Sequence, residues 1–261
     1  MNLVTVCGHN TTMLYHMLKH YYLHMDEIFV VLYAHHKKDP IIEEALSIMD
    51  NFNLKPYKIV YDEPFNWEKV TEYYNEVKLL KPNDWWIVAD DDELQLYSKP
   101  IETIVQECEE FGYEFVTGGF VDRIGDNGDF PKITKESNLW EEMPEAGEKT
   151  SWGTSHPKRY PIEKNFTQVH HFKWDYSVLE RLKQVSKTKA NVSFAQEYKL
   201  MLDEIVKSEK ETSQILKIDI HEGEFDLYSI NGSKHFVTED HPFQTTEGWK
   251  AIIPDKTREN H

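Results

Sequence analysis

Residues 84–94 read DWWIVADDDEL, an apolar run followed at once by four consecutive carboxylates. The apolar part has the length of a strand and no polar face, which is typical of a strand buried on both sides in a parallel sheet. Four adjacent carboxylates repel one another, and a divalent cation with oxygen ligands would relieve that repulsion. The alternative is an acidic turn that binds nothing. The segment thus predicts a buried strand that ends at a metal site or at an acidic turn.

Three similar strands precede this run, and a helix pattern follows each of them. The strands are predicted at residues 3–6, 28–33 and 57–61, and the helices at residues 14–21, 42–52 and 67–77. Strands separated by helix-length segments are joined by right-handed crossovers and form a mostly parallel sheet. Ligands bind such sheets at the carboxyl ends of the strands, where the acidic residues lie. We therefore predict an α/β fold with its site at this edge.

The chain beyond the acidic run is less regular. A helix is predicted at residues 101–111, a strand at 115–121, and later helices at 177–185 and 193–205. Ser177 and Glu180 have the spacing of a capping box for the first of these later helices. Residues 125–166 show no periodicity and are rich in Gly, Pro, Trp and charged residues, so we predict a functional loop region or a disordered segment there.

Composition narrows the class of protein. With 261 residues and 39% hydrophobic content, the chain can bury a full core. Its net charge of -17 disfavours nucleic acid and anionic membranes as partners. No segment approaches the roughly 18 apolar residues of a membrane span, and no secretory leader is recognisable. Cys7 and Cys108 have neither disulfide nor zinc-site spacing, which favours a reducing compartment and a cytoplasmic protein.

Three histidines in the first helix also have a spacing that helical metal ligands share. His16, His20 and His24 recur every four residues but lie away from the apolar face of that helix. The glutamate that accompanies zinc-binding histidines in a metalloprotease helix is missing. We therefore predict a solvated helix flank for these residues.

A second polar cluster, residues 169–174, reads VHHFKW and lies just before the predicted helix at 177–185. A neutral imidazole can complete a metal shell, Lys173 can neutralise a departing phosphate, and Trp174 can stack on a sugar or a base. Adjacent histidines are also common at surfaces and in cores, so this cluster alone does not identify a site.

Together, three segments of this chain resemble the GT-A glycosyltransferases, and among them the family 2-like group. The segments are VADDDEL at 88–94, FVDRIGDNGDF at 120–130 and VHHFKWDYSVLERLK at 169–183. The resemblance covers residues 1–185 and implies a GT-A fold, a Rossmann-like nucleotide-sugar-binding architecture with a mostly parallel central sheet. Residues 186–261 would then form a C-terminal helical or irregular extension packed on this catalytic domain.

The resemblance also implies a metal site that contains an Asp-x-Asp motif and a later histidine. Asp90 would contact the donor ribose or the metal and its water, and Asp92 would be the principal ligand of Mn²⁺ or Mg²⁺. His171 would be the later ligand, with His170 as the competitor for that role. Lys173 and Trp174 would contact the donor.

Two parts of the expected site are less defined. Family members commonly place an acidic residue after the second strand to contact the base, whereas this chain reads YAHHKKD at residues 33–39. Asp39 or Asp62 would have to take that role. An inverting transfer also needs a carboxylate that removes the proton of the acceptor hydroxyl. Asp122 is the first candidate for this base, with Glu141 and Glu142 as alternatives.

The function that follows from the resemblance is transfer of a sugar from a nucleotide-diphosphate sugar, a UDP- or GDP-sugar, to a glycan or other hydroxyl acceptor, with inversion. One alternative is a sugar nucleotidyltransferase. That enzyme should carry a Gly-rich basic loop after the first strand, and residues 7–12, CGHNTT, do not supply one. The other alternative is a catalytically silent GT-A-like module that binds a glycan or a protein.

Overall fold

The computed structural model describes residues 1–8, 11–62, 66–97, 99–116, 118–126, 130–149, 158, 160–161 and 167–185. The extension expected at residues 186–261, and with it the helix predicted at 193–205, lie outside the described residues.

A four-stranded parallel sheet forms the first half of the protein. Its strands are β1 (Asn2–Cys7), β2 (Glu27–Ala34), β3 (Lys58–Tyr61) and β4 (Trp86–Val88), in the order β3-β2-β1-β4. The helices α1 (Leu14–Tyr21), α2 (Pro40–Asp50) and α3 (Trp67–Lys78) lie between consecutive strands. The predicted α/β fold with a parallel central sheet of Rossmann-like type is confirmed. It was predictable because every one of these elements shows its own local periodicity in the sequence.

A second sheet follows, and it is mixed. Its strands are β5 (Glu93–Leu96), β6 (Gly118–Ile124), β7 (Glu145–Lys149) and β8 (Thr167–His171), in the order β5-β8-β6-β7. Strand β8 runs antiparallel to β5 and parallel to β6, and β7 runs antiparallel to β6. The remaining helices of the described residues are α4 (Ile101–Phe111), α5 (Leu139–Glu142) and α6 (Val178–Val185). Only β6, α4 and α6 of this half were predicted.

One hydrophobic core joins the two sheets. Leu3 and Leu32 of the parallel sheet pack with Leu14 of α1, and the same cluster continues to Leu94 of β5 and Phe172 after β8. The opposite face of the parallel sheet is covered separately, by α3. Burial of the first face therefore attaches the second sheet to the first.

The prediction of a loop region at residues 125–166 is wrong for its described part. Helix α5 and strand β7 lie inside it, and Ile133, Leu139, Trp140 and Met143 belong to the shared core. Elements of four or five residues are too short to show a helical or a strand period, which is why the sequence pattern missed them.

The prediction of a solvated flank is wrong for His16 and His20, the two of the three histidines that lie in α1. His16 is buried, and its Nε2 donates to the carbonyl of Thr134 at 2.7 Å. His20 Nε2 donates to the carbonyl of Gln95 at 3.0 Å. This flank of α1 faces the second sheet, which the sequence pattern did not reveal.

The helix termini show how the loops are held. Asp39 is the N-cap of α2 and accepts the N–H of Ile41 at 3.2 Å, as its position before a proline favours. Asp175 accepts the N–H of Ser177 at 2.9 Å, so a carboxylate two residues earlier supports the start of α6 where the capping box was expected. Within the described residues no helix is both long and apolar enough to cross a membrane. Neither Cys7 nor Cys108 forms a disulfide, and both are buried.

Candidate functional site

The acidic turn, residues 90–93, connects the two sheets. Strand β4 ends at Val88, and β5 begins at Glu93. Because β4 runs parallel to β1, the turn lies at the carboxyl edge of the parallel sheet, where ligands bind in open α/β sheets. Asp92 and Glu93 are buried there, and Asp90 and Asp91 are half-buried.

Pairing between β5 and β8 brings His171 to this turn. Glu93 lies opposite His171 in the antiparallel ladder, and the N–H of Phe172 donates to the carbonyl of Asp92 at 2.9 Å. As a result, His171 Nε2 lies 3.3 Å from Asp92 Oδ1. The sequence contains both residues, but only the ladder explains why they meet.

Arg181 is a site residue that sequence reasoning missed. It lies in α6, and its Nη1 donates to Asp92 Oδ2 at 2.8 Å. The side chains of Arg181 and Asp92 are 13% and 6% exposed, so the pair is well shielded from water. The sequence offered one indication of its role, because Arg181 is a basic residue in the first turns of a helix that directly follows the histidine strand β8.

These two partners determine the ionisation of Asp92. Burial by itself raises the pKa of a carboxyl group, but the charges of His171 and Arg181, with the hydrogen bonds they make, outweigh burial and hold the pKa of Asp92 well below its ordinary value. Asp92 is therefore an anion at any physiological pH.

The other three carboxyl groups respond in the opposite direction. Burial and the charge of Asp92 raise the pKa of Asp91 to about 8, although the Cys7 thiol hydrogen-bonds it. Burial and the charge of Asp90 raise the pKa of Glu93 to about 8. Burial and Asp92 likewise raise the pKa of Asp90. The Asp91 and Glu93 carboxyl groups therefore keep their protons at neutral pH, and a cation bound beside them would favour their ionisation.

The carboxyl groups of the turn contact different elements. Asp90 accepts the hydroxyl of Tyr74 from α3, and its own N–H donates to Glu93 Oε2 at 3.1 Å. Asp91 contacts Cys7 at the end of β1, and Asp92 contacts β8 and α6. Each carboxyl group is thereby oriented by a separate neighbour.

Asp92 and His171 carry donor atoms of types that bind divalent ions. In the described part of the chain, no three His, Cys, Asp or Glu side chains converge into a complete metal shell. An ion that shares its shell with substrate phosphates needs fewer protein ligands. Asp92 and His171 are the adjacent pair of suitable type, and Asp90 belongs to the same turn but is held by Tyr74.

The residues expected to contact the nucleobase of the donor lie at neighbouring strand ends. Asp39 follows β2, and besides capping α2 it accepts the N–H of His35 at 2.8 Å. Asp62 follows β3, where it accepts the hydroxyl of Tyr33 at 3.2 Å and pairs with Lys69. Both carboxylates hold their own turns together, so a role with a ligand would come in addition to a structural one.

Two residues expected to contact the donor are buried. Trp174 is 1% exposed and belongs to the shared core. The expectation that its ring stacks on a sugar or a base is therefore corrected, because the ring is enclosed by protein. Lys173 is also buried, and its Nζ lies 4.7 Å from the centre of the Trp174 ring.

The candidate bases differ in position. The backbone of Asp122 in β6 is in register with His171 of β8, which places it next to the site. Glu141 and Glu142 are exposed on α5, whose N-cap is Asn138.

No protein-family model matches this chain, and a comparison with curated protein sequences gives no match. Among solved structures that match is a crystal structure from Bacillus anthracis, described as a glucose-1-phosphate thymidylyltransferase in complex with a sucrose. It is 14% identical, the match covers 82% of this chain and 80% of that one, and the TM-score is 0.31. A similarity this low assigns no activity, so the case for function depends on the geometry of the acidic turn.

Proposed function

We propose that this chain is a metal-dependent GT-A glycosyltransferase that moves a sugar from a nucleotide-diphosphate sugar to a hydroxyl acceptor with inversion. The observation that carries the proposal is the contact of Asp92 with His171 at the carboxyl edge of the parallel sheet. His171 comes from a distant strand, and its side chain keeps 17% of its surface exposed beside Asp92, so a ligand can reach the pair.

The residues of the acidic turn then have distinct roles. Asp92 and His171 hold Mn²⁺ or Mg²⁺, which when bound stabilises the leaving diphosphate as a Lewis acid. Tyr74 orients Asp90 toward the donor ribose or a water of the metal. Asp91 and Glu93, whose pKa values are raised to about 8, would release protons beside a bound cation.

The donor and the catalytic base are the remaining parts of the proposal. A UDP- or GDP-sugar lies along the strand ends, with Asp39 or Asp62 at the nucleobase. Asp122, whose backbone neighbours His171, removes the proton of the acceptor hydroxyl. We also propose that residues 1–185 are the catalytic domain, that residues 186–261 extend it, and that the protein works in the cytoplasm.

Calorimetry tests the metal site directly. UDP and GDP should bind in the presence of Mn²⁺, and the affinity should be lost in EDTA, because the diphosphate would otherwise meet the carboxylates without a bridging cation. Asp92→Asn should reduce the affinity in Mn²⁺ to that seen in EDTA. Equal affinity with and without the metal would overturn the proposal.

A product assay separates the possible functions. A panel of UDP- and GDP-sugars is incubated with Mn²⁺ and hydroxyl acceptors, and in a second arm with pyrophosphate. Release of nucleoside diphosphate with glycosylated acceptor supports the proposal. Formation of nucleoside triphosphate and sugar 1-phosphate in the second arm would identify a nucleotidyltransferase, and binding without any product would identify a silent module.

The same product assay identifies the catalytic base. Asp122→Asn should lower the transfer rate by roughly 10²- to 10⁴-fold with donor affinity retained, as loss of a general base does. Glu141→Gln and Glu142→Gln are matched controls with the same loss of charge. A large loss of transfer rate in either glutamate variant, with no loss in Asp122→Asn, would assign the catalytic base to α5.

A further inference from the structure

Arg181 brings a cation from α6 to the acidic turn. Its Nη1 donates to Asp92 Oδ2 at 2.8 Å, and its side chain is 13% exposed. The chain thus places a permanent positive charge from α6 where a divalent ion would have to bind. A guanidinium group remains charged at any physiological pH, so this neutralisation persists without a metal.

The position of Arg181 is well defined. Its N–H donates to the carbonyl of Ser177 at 3.1 Å, in the first turn of α6. Ser177 is held in turn by Asp175, and the N–H of Tyr176 donates to the carbonyl of Pro131 at 2.9 Å. The start of α6 is therefore anchored on both sides, which fixes the backbone from which the Arg181 side chain reaches Asp92.

A metal and Arg181 need the same carboxylate. Asp92 Oδ2 accepts from Arg181, and Asp92 Oδ1 faces His171. A divalent ion on Asp92 would repel the guanidinium beside it, since like charges a few ångströms apart in a shielded site interact strongly. A diphosphate bound to that ion offers the displaced guanidinium a new partner, because its oxygens match the planar donors of arginine.

We propose that Arg181 blocks the metal position on Asp92 in the donor-free protein and transfers to the donor diphosphate when metal and donor bind together. This inference rests on the proposed function. It assigns Arg181 as a phosphate-binding residue and makes tight metal binding depend on the presence of the diphosphate.

Opposite effects of one substitution test the proposal. In Arg181→Gln, Mn²⁺ alone should bind several-fold more tightly, because its competitor is gone. UDP or GDP in saturating Mn²⁺ should bind roughly tenfold or more weakly, the size expected for one charge-assisted hydrogen bond. Both affinities are measured by calorimetry, and Arg181→Lys, which keeps the charge, should be intermediate in both.

Lys183→Gln is the matched control. Lys183 lies in the same helix, its side chain is 46% exposed, and it pairs with Glu180 at 3.6 Å. The control should leave both affinities unchanged. Thermal unfolding of each variant, without ligands, reports whether the fold is kept, and Arg181→Lys serves if the glutamine variant does not fold.

The outcomes separate the two proposals. If Mn²⁺ and the diphosphate both weaken in the folded Arg181 variants, or if neither changes, Arg181 is only structural and the inference is overturned. If the wild type binds no nucleoside diphosphate in Mn²⁺, the proposed function fails and phosphate binding by Arg181 fails with it. The measurement with Mn²⁺ alone still decides the competition for Asp92.

Discussion

His170 and His171 are neighbours in the sequence, yet β8 turns their side chains to opposite faces of the second sheet. His171 lies beside Asp92 and keeps part of its surface exposed. His170 is fully buried, its Nε2 donates to Gln168 Oε1 at 2.8 Å, and its ring lies against Trp140 with centroids 4.9 Å apart. The His171 face of β8 lies against the acidic turn, and the His170 face packs into the core.

The partner strand decides what each histidine meets. Along β5, Glu93 lies opposite His171 and Leu94 lies opposite His170. The charged face brings carboxylates to His171. On the apolar face, burial lowers the pKa of His170 well below its ordinary value, and the charges of Arg123 and His20 lower it further. His170 is thus a neutral packing residue, and two histidines of equal chemistry differ through their surroundings alone.

The largest expected effect is on the His170 face. Trp140→Ala should lower the free energy of unfolding by about 3–5 kcal/mol, as loss of a buried aromatic ring does, because Trp140 packs on both His170 and Phe172. Urea denaturation measures it. Tyr176→Ala is the control, since Tyr176 is 74% exposed. A loss below about 1 kcal/mol would contradict the packing role.

The histidine pair itself gives the next effect. His171→Ala should weaken metal-dependent nucleoside diphosphate binding by about 1–3 kcal/mol, roughly 5- to 150-fold, because one ligand of a partly water-filled shell is lost. His170→Ala should change that affinity much less and instead lower stability. Calorimetry on both variants, with thermal unfolding, separates the two. The reverse result would assign the ligand to His170.

The free energy of unfolding should depend on pH in opposite directions for the His170 face and for the acidic turn, with effects of about 1 kcal/mol. Below an ordinary pKa of about 6.5 the unfolded chain protonates His170 while the folded protein does not, so stability falls as pH drops. His170→Gln should remove up to about 1.4 kcal/mol per pH unit of this slope below pH 6.

The acidic turn contributes a pH dependence of stability with the opposite sign. Folded Asp91 and Glu93, with pKa values raised to about 8, hold protons that the unfolded chain releases near pH 4. Their contribution to stability is therefore lost as pH rises toward 8. The difference between wild type and His170→Gln, measured by urea denaturation at each pH, cancels this term. An unchanged slope would mean that His170 titrates normally in the folded protein.

The smallest effects are expected away from both faces. Glu141→Gln and Glu142→Gln should change the free energy of unfolding by no more than about 0.5 kcal/mol, because both side chains are exposed on α5. Thermal unfolding checks this. A larger loss would show that α5 is held in place by these carboxylates and not by Leu139 and Trp140 beneath them.

The parallel sheet was predictable because each of its elements is local. Strand β2 is a continuous apolar run, and α1 shows its buried stripe at Leu14, Met17, Leu18 and Tyr21. The second sheet was mostly missed because β5 and β7 are short and pair with distant segments. Asp92 and His171 were anticipated through the family resemblance, while Arg181 was not, since an arginine in a helix has no distinctive pattern.

By itself, the sequence determined the α/β alternation and the four carboxylates at the end of β4, because strand and helix periods and local charge are written into adjacent residues. Only the tertiary structure decided that His171, and not His170, faces Asp92, and that Arg181 joins them across 89 residues. The face on which a strand residue points depends on the register of its ladder, and that register is set by pairing between β5 and β8 and by the core that holds them together.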